Sequence, residues 1–407
     1  MMGPASSSSF RDRPAHPLSH ATILQIVPDL QSGEVLRTML DITTALTEAG
    51  ATSLIACEGG RMVSELQAKG GIWIPFPAGA RNPLTMALNV RRLAHLIEAE
   101  RVDLIHAHSR APGWVAYGAT RLTKTPFVTT FHPSYATQNT LKLRYNSVMA
   151  RGDAVITSSL QTADLIARLY PPASGRVYVV HHGTDFRLFA PNAVHPSQVE
   201  ALRREWRAAP DDRIVLLAGR LTPGKGQKVL IEAARLLIAS GLVGTKFILA
   251  GDDLGRGSHG RELDKLIEKA RLKGIVARAA DCEDRPAALL AASVAVVPST
   301  EPQALGRVPV EAQAMGTPVV VSDLGAAAEI VLAPPAVEAS ARTGWLVPPG
   351  DAIALARAIS AALGLGAAAR DALSLRARAH VTWHFSHEHI SSETLAIYAA
   401  LLEPGGR

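Results

Sequence analysis

The chain has 407 residues, of which 47% are hydrophobic and only 5% aromatic, and its formal net charge is +6 at pH 7. This length predicts two or three domains, and the many Ala, Val and Leu residues favour helices packed on parallel sheets. Cys57 and Cys282 are far apart and lack metal-ligand spacing, so a disulfide framework and a cysteine zinc site are excluded.

The basic excess lies mainly in residues 1–190, without basic runs or interleaved aromatic residues, so we expect no nucleic-acid partner. A general surface bias explains this excess, and a face towards anionic lipid or an anionic acceptor is the alternative. Residues 1–20 are rich in Ser and Pro and lack the apolar core of a signal peptide, which predicts a disordered tail. No later apolar run is long enough to span a bilayer. We therefore expect a cytoplasmic protein, with a peripheral position on the cytoplasmic face of the membrane as the alternative.

Strand-like runs alternate with helical patterns from residue 22 onward, which is typical of βαβ units with parallel sheets. In the first half, we predict strands at 22–27, 52–57, 72–75, 103–107, 127–131, 153–157 and 177–181. The alternation restarts after a polar stretch, with strands predicted at 213–217, 246–249, 275–279, 294–297, 318–321 and 345–347. We therefore predict an α/β fold of two doubly wound, Rossmann-like domains that face each other across a cleft.

This alternation also divides the chain into segments. We predict a disordered tail (1–20), an N-terminal Rossmann-like domain (21–185), a linker (186–210), a C-terminal Rossmann-like domain (211–382) and a terminal helical segment (383–407). In such folds the ligand binds in the crevice at the carboxyl ends of the strands.

The most informative stretch covers residues 298–320, PSTEPQALGRVPVEAQAMGTPVV. A buried strand leads into a loop with a carboxylate and an amide, and Gly306 then opens a helix with Glu311 in its second turn. Backbone N–H groups at such a helix start, those of Arg307 and Val308, suit a phosphate. Glu311 can reach back to a pair of sugar hydroxyls. The pattern predicts a nucleotide-sugar pocket.

A second strand-to-helix junction, GRLTPGKG at residues 219–226, carries two cations on either side of a Pro-Gly turn. Arg220 and Lys225 can converge on one diphosphate, whose negative charge grows as it leaves. Taken alone, the stretch is equally well an ordinary exposed loop. Beside the junction that carries Glu311, a function in donor binding is favoured.

Several histidines lie near the predicted strand ends. His132 follows the strand 127–131 at the carboxyl edge of the sheet, where we favour a functional role. His106 and His108 face one side of their strand by alternation, and a structural role is favoured for His106. Structural roles also suffice for His181 and His182. The basic pattern at 140–151 is either a solvated helix face or a face towards a lipid-linked or polyanionic acceptor.

Over residues 22–348, the order of these motifs resembles the family-4 retaining glycosyltransferases, whose fold is called GT-B. The resemblance implies transfer of a sugar from a nucleotide-sugar donor to a hydroxyl of a glycan or lipid-linked acceptor, with retention. Cell-surface polysaccharide, lipopolysaccharide or glycolipid synthesis is the implied setting, with no cofactor and no metal. It also implies that the C-terminal helix, predicted at 389–402, crosses back to the first domain.

The same resemblance implies that the first domain (21–185) binds the acceptor and the second (211–382) the nucleotide sugar, and it assigns roles to individual residues. For the donor, these are Arg220 and Lys225 on the diphosphate, Glu311 on the ribose, and helix-start N–H groups from Gly306, Arg307 and Val308. His132 and Gln303 are implied as catalytic residues and, with Leu305, line the transferred sugar. Gly33 and Arg110 border the acceptor and phosphate side.

The chain departs from the family pattern at three positions. Glu34 stands where a second glycine is usual, Gln303 replaces the first glutamate of the E-x7-E element, and Leu305 replaces an aromatic residue. A glutamine keeps an acceptor oxygen but carries no charge. A GT-B epimerase or phosphorylase, and a non-catalytic binding subunit, therefore remain as alternative functions.

One rival motif is a G-x-G-x-x-G at residues 255–260, between a strand and a helix. It is consistent with a dinucleotide site, but acidic residues precede it, and a flexible glycine loop is the favoured interpretation. The sequence has no D-x-D pair and no G-x-x-x-x-G-K-[ST], so a metal-bridged diphosphate site and a P-loop are unsupported.

Overall fold

A computed structural model describes residues 16–31, 34–132, 135, 139–252, 257–280, 282, 284–301 and 306–403. The predicted site residues Gly33, Gln303 and Leu305 lie outside these ranges. The roles proposed for them therefore stay predictions from the sequence.

The first domain is a parallel sheet of seven strands in the order β3-β2-β1-β4-β5-β6-β7. Its strands are β1 (Thr22–Ile26), β2 (Thr52–Cys57), β3 (Ile72–Pro75), β4 (Leu104–Ala107), β5 (Phe127–Phe131), β6 (Ala154–Thr157) and β7 (Val177–Val179). Its helices are α1 (Glu34–Glu48), α2 (Val63–Ala68), α3 (Pro83–Ala99), α4 (Arg110–Thr123), α5 (Thr140–Asn146) and α6 (Leu160–Leu169). The central strands are buried along their length, because helices cover both faces of the sheet.

The second domain is a parallel sheet of six strands in the order β10-β9-β8-β11-β12-β13. Its strands are β8 (Arg213–Ala218), β9 (Thr245–Ala250), β10 (Val276–Ala279), β11 (Val294–Val297), β12 (Val319–Ser322) and β13 (Trp345–Val347). The remaining helices are α7 (Pro196–Glu205), α8 (Gln227–Ala239), α9 (Ser258–Lys269), α10 (Arg285–Ala291), α11 (Arg307–Ala314), α12 (Ala327–Ile330), α13 (Ala352–Leu363), α14 (Ala367–Phe385) and α15 (His387–Leu402). Both sheets reverse their strand order beside the first strand, which is where doubly wound folds bind ligands. The predicted α/β fold of two doubly wound domains is confirmed.

Two predicted segment boundaries differ from the structure. Leu18 is fully buried in a core with residues of β1 and β4, so the predicted tail (1–20) extends too far towards the first strand. In the predicted linker (186–210), Phe189 and Trp206 are buried in the core of the second domain. A segment that buries two aromatic side chains packs as part of a domain, since this burial favours a fixed position.

The two C-terminal helices lie on different domains and meet at Ser386. On α14, the hydroxyl of Ser374 donates a hydrogen bond to the carbonyl of Gly316 in the second domain, at 2.5 Å. On α15, Tyr398 is fully buried in the first domain, and its hydroxyl lies 2.6 Å from Nδ1 of His106. Helix α15 thus lies against the first domain.

Among the helices of the described ranges, no single one combines the length and the apolar composition needed to cross a bilayer. Helices α13 and α14 meet that composition only when taken together, and they are bent by 109° relative to each other.

Candidate functional site

The two junctions singled out in the sequence are in direct contact at the carboxyl edge of the second sheet. The N–H of Thr300 donates a hydrogen bond to the carbonyl of Gly224, at 3.0 Å. Gly226 has φ of +76°, and a Cβ at this position would lie 1.7 Å from the carbonyl oxygen of Pro298. Only glycine permits this approach, so Gly226 is needed to join the loop after β8 to the loop after β11.

Lys225 lies in a small cavity of about 40 Å³ between these loops and β12. The cavity is also lined by Ser299, Gly306 and Ser322. Arg220 is exposed at the edge of the same loop, and its carbonyl accepts a hydrogen bond of 3.0 Å from the Gln227 amide. Both predicted diphosphate cations therefore lie on one loop; Lys225 lines the cavity, and Arg220 is exposed to solvent.

The start of α11 borders this cavity through Gly306 and Pro309. Gly306 is the N-cap residue, has extended backbone angles, and contributes no side-chain cap. Pro309 has no N–H, so Arg307 and Val308 carry the N–H groups of the first turn. The positive end of the helix dipole favours an anion there. The predicted residue Gly306 therefore lines the same cavity as Lys225, and Arg307 and Val308 follow it in the first turn of α11.

Glu311 is buried one turn further along α11, where Arg285 on α10 reaches it. Nη1 of Arg285 lies 3.1 Å from each of the two carboxylate oxygens. The Glu311 side chain is 3% exposed and that of Arg285 is 39% exposed. Sequence reasoning missed Arg285, because 26 residues separate it from its partner and no motif marks it.

In the first domain, the predicted residues Arg110 and His132 contact the same aromatic ring. The guanidinium of Arg110 lies 4.9 Å from the ring centroid of Tyr135, and the His132 ring lies 5.6 Å from it, edge to face. Arg110 also donates a hydrogen bond of 3.0 Å to the side-chain oxygen of Asn146. Tyr135 and Asn146 thus hold Arg110 and His132 on one side of the sheet.

His106 and His108 form a buried network behind His132. Their ring centroids are 3.9 Å apart, and His108 Nε2 lies 3.0 Å from the Gln25 side-chain oxygen. Burial, and then the charges of His108 and His132, hold the pKa of His106 well below its ordinary value. Burial, and then His132, lower the pKa of His108 to about 3. Because His106 bonds to Tyr398 and Thr130, the structure supports the structural role favoured for it.

His182 contacts the first domain from the segment that leads into the second domain. Its Nδ1 is 3.3 Å from the Thr38 hydroxyl of α1. Burial lowers the pKa of His182 to about 4, with further contributions from the charges of Arg307 and His181. The Thr38 contact ties this imidazole to α1, and the charge of Arg307, at the start of α11, also acts on it.

A second link between the domains involves Glu329 of α12. Its carboxylate accepts hydrogen bonds from the N–H groups of Leu160, at 2.8 Å, and Gln161, at 3.2 Å, at the start of α6. His181 Nε2 lies 4.0 Å from the same carboxylate. A carboxylate at a helix N-terminus is favourable, so Glu329 stabilises the approach of the two domains.

Metal and dinucleotide sites gain no support from the described residues. Within them, no group of three His, Cys, Asp or Glu side chains is placed to hold a metal ion. At the rival glycine motif, Gly257 caps α9 with φ of +49°, whereas residues 255 and 256 lie outside the described part of the chain.

Comparisons with known proteins identify the family. Residues 35–188 match the family model described as Glycosyltransferase Family 4, and residues 198–380 match the model Glycosyl transferases group 1. The D-inositol 3-phosphate glycosyltransferase of Nocardia farcinica is 30% identical over 321 residues, which cover 74% of this chain and 67% of that protein. The chain is a family-4 glycosyltransferase.

Solved structures agree with this membership. A glycosyltransferase from Rickettsia africae superposes on this family-4 glycosyltransferase with a TM-score of 0.85 and 29% identity, over 95% of this chain and all of that one. Anabaena Alr3699/HepE in complex with UDP-glucose superposes with a TM-score of 0.72 and 25% identity, over 93% of this chain and all of that one. The two domains of the family-4 glycosyltransferase therefore have the GT-B arrangement.

Proposed function

We propose that this enzyme transfers a sugar from a nucleotide-sugar donor, with retention of the anomeric configuration, to an acceptor hydroxyl. The observation that carries the proposal is the contact between the loop of Lys225 and the segment leading to α11, sealed at Gly226. This contact sets a cation beside helix-start N–H groups, which is the chemistry that a diphosphate requires. The UDP-glucose complex of the structural neighbour supports a donor of this class.

The leaving group explains why the cations are placed here. When the bond between the sugar and the diphosphate breaks, negative charge develops on the diphosphate oxygens. Lys225, Arg220 and the N–H groups of α11 stabilise that charge because they are fixed beforehand. The donor ribose binds at Glu311, and the transferred sugar faces His132 of the first domain. No metal ion takes part in this scheme.

The acceptor is a glycan or lipid-linked hydroxyl that enters from the side of Arg110. We place the reaction in the synthesis of cell-surface polysaccharide, lipopolysaccharide or glycolipid, at the cytoplasmic face of the membrane. The relatives named D-inositol 3-phosphate glycosyltransferase suggest a phosphorylated acceptor as a further candidate. Arg110 suits such an acceptor, since a guanidinium pairs well with phosphate.

A thermal-shift screen across nucleoside diphosphates and their sugars tests the donor half. A ligand that binds only the native state raises the free energy of unfolding by mass action, by about 2.7 kcal/mol when its concentration is a hundred times Kd. The melting temperature rises accordingly. We expect one base to stabilise the protein more than the others, and its sugar conjugate to do the same. No shift with any nucleoside diphosphate would reject the proposal.

The alternatives are separated by turnover. An epimerase consumes the donor without an acceptor, and a phosphorylase requires phosphate, whereas we expect turnover only with an acceptor. For the non-catalytic subunit, Gln303→Glu is informative, because a carboxylate stabilises positive charge at the anomeric carbon and an amide does not. We expect Gln303→Glu to raise the rate with at least one nucleotide sugar. If wild type and Gln303→Glu both bind the nucleotide but neither transfers sugar, the protein is better explained as a non-catalytic binding subunit.

A further inference from the structure

A larger cavity, of about 570 Å³, opens in the first domain at the edge opposite to the cleft. It is lined by Phe127 at the start of β5, by Asp153 just before β6 and by Arg176 just before β7. The last turn of α4 forms its other wall. His132 lies at the far end of β5, so about 17 Å of strand separates this cavity from the cleft.

Four cations surround this cavity: Arg121, Lys124, Arg151 and Arg176. Three of them, all but Arg176, come from residues 101–151. That segment holds one acidic residue, Asp103, and seven basic residues: Arg101, Arg110, Arg121, Lys124, Lys142, Arg144 and Arg151. Asp153 is the one carboxylate in the lining, and it accepts a hydrogen bond of 2.9 Å from the N–H of Phe127. The cavity wall therefore has a net positive charge.

The arginines are held in place by neutral groups. The guanidinium of Arg121 lies 5.0 Å from the ring centroid of Tyr117, and that of Arg151 lies 5.4 Å from the same centroid. Arg176 donates hydrogen bonds to the carbonyls of Gly152, at 2.9 Å, and Pro172, at 3.2 Å. Aromatic faces and carbonyls orient the guanidinium groups without cancelling their charge.

Helix geometry explains only part of this cluster. Arg121 and Lys124 lie at the end of α4, where cations offset the negative end of the helix dipole. Arg151 and Arg176 come from two other segments, and neither lies near that helix end in sequence. Gathering the guanidinium groups of Arg121, Arg151 and Arg176 around one cavity is unfavourable by itself, and a bound anion removes the repulsion.

We infer that this cavity is a second binding site, specific for a phosphate or diphosphate group and separate from the cleft. Its volume lies within the usual range of ligand sites, and Arg forks match phosphate oxygens well. The Tyr117 ring and Phe127 supply an apolar floor for the part of the ligand that carries the phosphate. The source of the phosphate is either a soluble metabolite or a lipid headgroup.

Titration calorimetry with inorganic pyrophosphate on the full chain tests this site. The variant Arg121→Ala/Arg151→Ala removes two cavity cations, and Lys142→Ala/Arg144→Ala removes two exposed cations of α5 as a matched control for charge. We expect the first variant to bind one pyrophosphate fewer per chain, or to bind it at least about tenfold more weakly, than wild type and control. This difference is independent of whether the cleft also binds pyrophosphate.

Two further measurements keep the result decisive. Far-ultraviolet circular dichroism confirms that each variant is folded, and Arg121→Lys/Arg151→Lys, which keeps the charge but not the fork, should bind with intermediate affinity. Sedimentation with vesicles of phosphatidylglycerol in phosphatidylcholine distinguishes the sources. A lipid headgroup is indicated if the protein binds vesicles, pyrophosphate displaces it from them, and Arg121→Ala/Arg151→Ala abolishes the vesicle binding. A soluble ligand is indicated if the protein binds pyrophosphate but not vesicles. Equal pyrophosphate binding by wild type and both alanine variants, or an equal loss in the control, overturns the inference.

Discussion

Nη1 of Arg285 bridges both carboxylate oxygens of Glu311, each at 3.1 Å, inside the second domain. The contact holds in place the carboxylate that we assign to the donor ribose. The Glu311 side chain is only 3% exposed, so Arg285 supplies a cation to a carboxylate that water hardly reaches. The sequence identified Glu311 as a site residue but gave no sign of Arg285, which holds the Glu311 carboxylate in position.

Arg285→Ala should destabilise the protein, because it leaves the buried Glu311 carboxylate without its cation. Removing one partner of a buried ion pair typically costs about 3–5 kcal/mol of unfolding free energy. We expect about 3 kcal/mol here, because the Arg285 side chain is 39% exposed. Glu311→Gln should cost less stability but weaken nucleotide binding about tenfold. Chemical denaturation and calorimetry measure the two effects. Equal stability of wild type and Arg285→Ala would refute the role of this pair.

Arg220→Ala and Lys225→Ala should each weaken donor binding. A charge-assisted hydrogen bond contributes about 1.5–3 kcal/mol, which corresponds to roughly ten- to a hundredfold in Kd. The control is Lys228→Ala, three residues beyond Lys225, where the half-exposed ammonium pairs with Glu262 at 2.5 Å. We expect that variant to bind like wild type. Near-wild-type affinity in both test variants would remove the diphosphate assignment.

Glu329→Gln should loosen the contact between the domains. The neutral amide loses the charge that favours the N–H groups of Leu160 and Gln161 at the start of α6. We expect a larger radius of gyration in small-angle X-ray scattering and a higher KM. Glu338→Gln, which changes an exposed glutamate of the same domain, is the matched control. If both variants scatter like wild type, Glu329 does not hold the domains together.

The free energy of unfolding should decrease as pH is lowered below about 6.5, because of His108 and His182. Burial is the main cause that lowers their pKa values, to about 3 and about 4, so the folded protein favours the neutral rings. The unfolded chain takes up these protons below its ordinary pKa of about 6.5. The stabilisation is therefore complete above this pH and is lost as pH falls towards 4, by about 1.4 kcal/mol per pH unit for each histidine.

The variant His108→Gln isolates one of these contributions. A glutamine amide can still donate to the Gln25 side-chain oxygen, but it does not titrate. Denaturation between pH 7 and pH 4 should therefore show a shallower loss of stability than in wild type. Identical slopes would show that His108 contributes nothing to the pH dependence.

The strands were predictable because parallel sheets are buried on both faces and appear as short apolar runs. Thr52–Cys57, Phe127–Phe131 and Val294–Val297 have the predicted bounds. In contrast, Leu18 was assigned to a tail, because an isolated leucine beside Ser and Pro gives no periodic signal. Its partners in the core are distant in sequence.

The candidate site was predictable where its chemistry lies within one motif. Lys225 and the start of α11 are examples, since each occupies a single strand-to-helix junction. The contacts of Glu311 with Arg285, of Glu329 with α6 and of His182 with Thr38 depend on how separate segments pack. No local pattern encodes such pairs, so only the folded structure reveals them.

Acceptor-dependent release of a nucleoside diphosphate, measured in excess chelator, tests the proposed activity most directly. The assay combines a panel of nucleotide sugars with glycan, lipid-linked and D-inositol 3-phosphate acceptors, and Lys225→Ala serves as a control with weakened donor binding. We expect release with at least one pair, no dependence on added magnesium or manganese, and a product whose anomeric configuration by NMR matches that of the donor. Three results would contradict the proposed reaction. The protein binds nucleotide but transfers sugar with none of the pairs, activity appears only when a divalent metal is added, or the product has the inverted anomeric configuration.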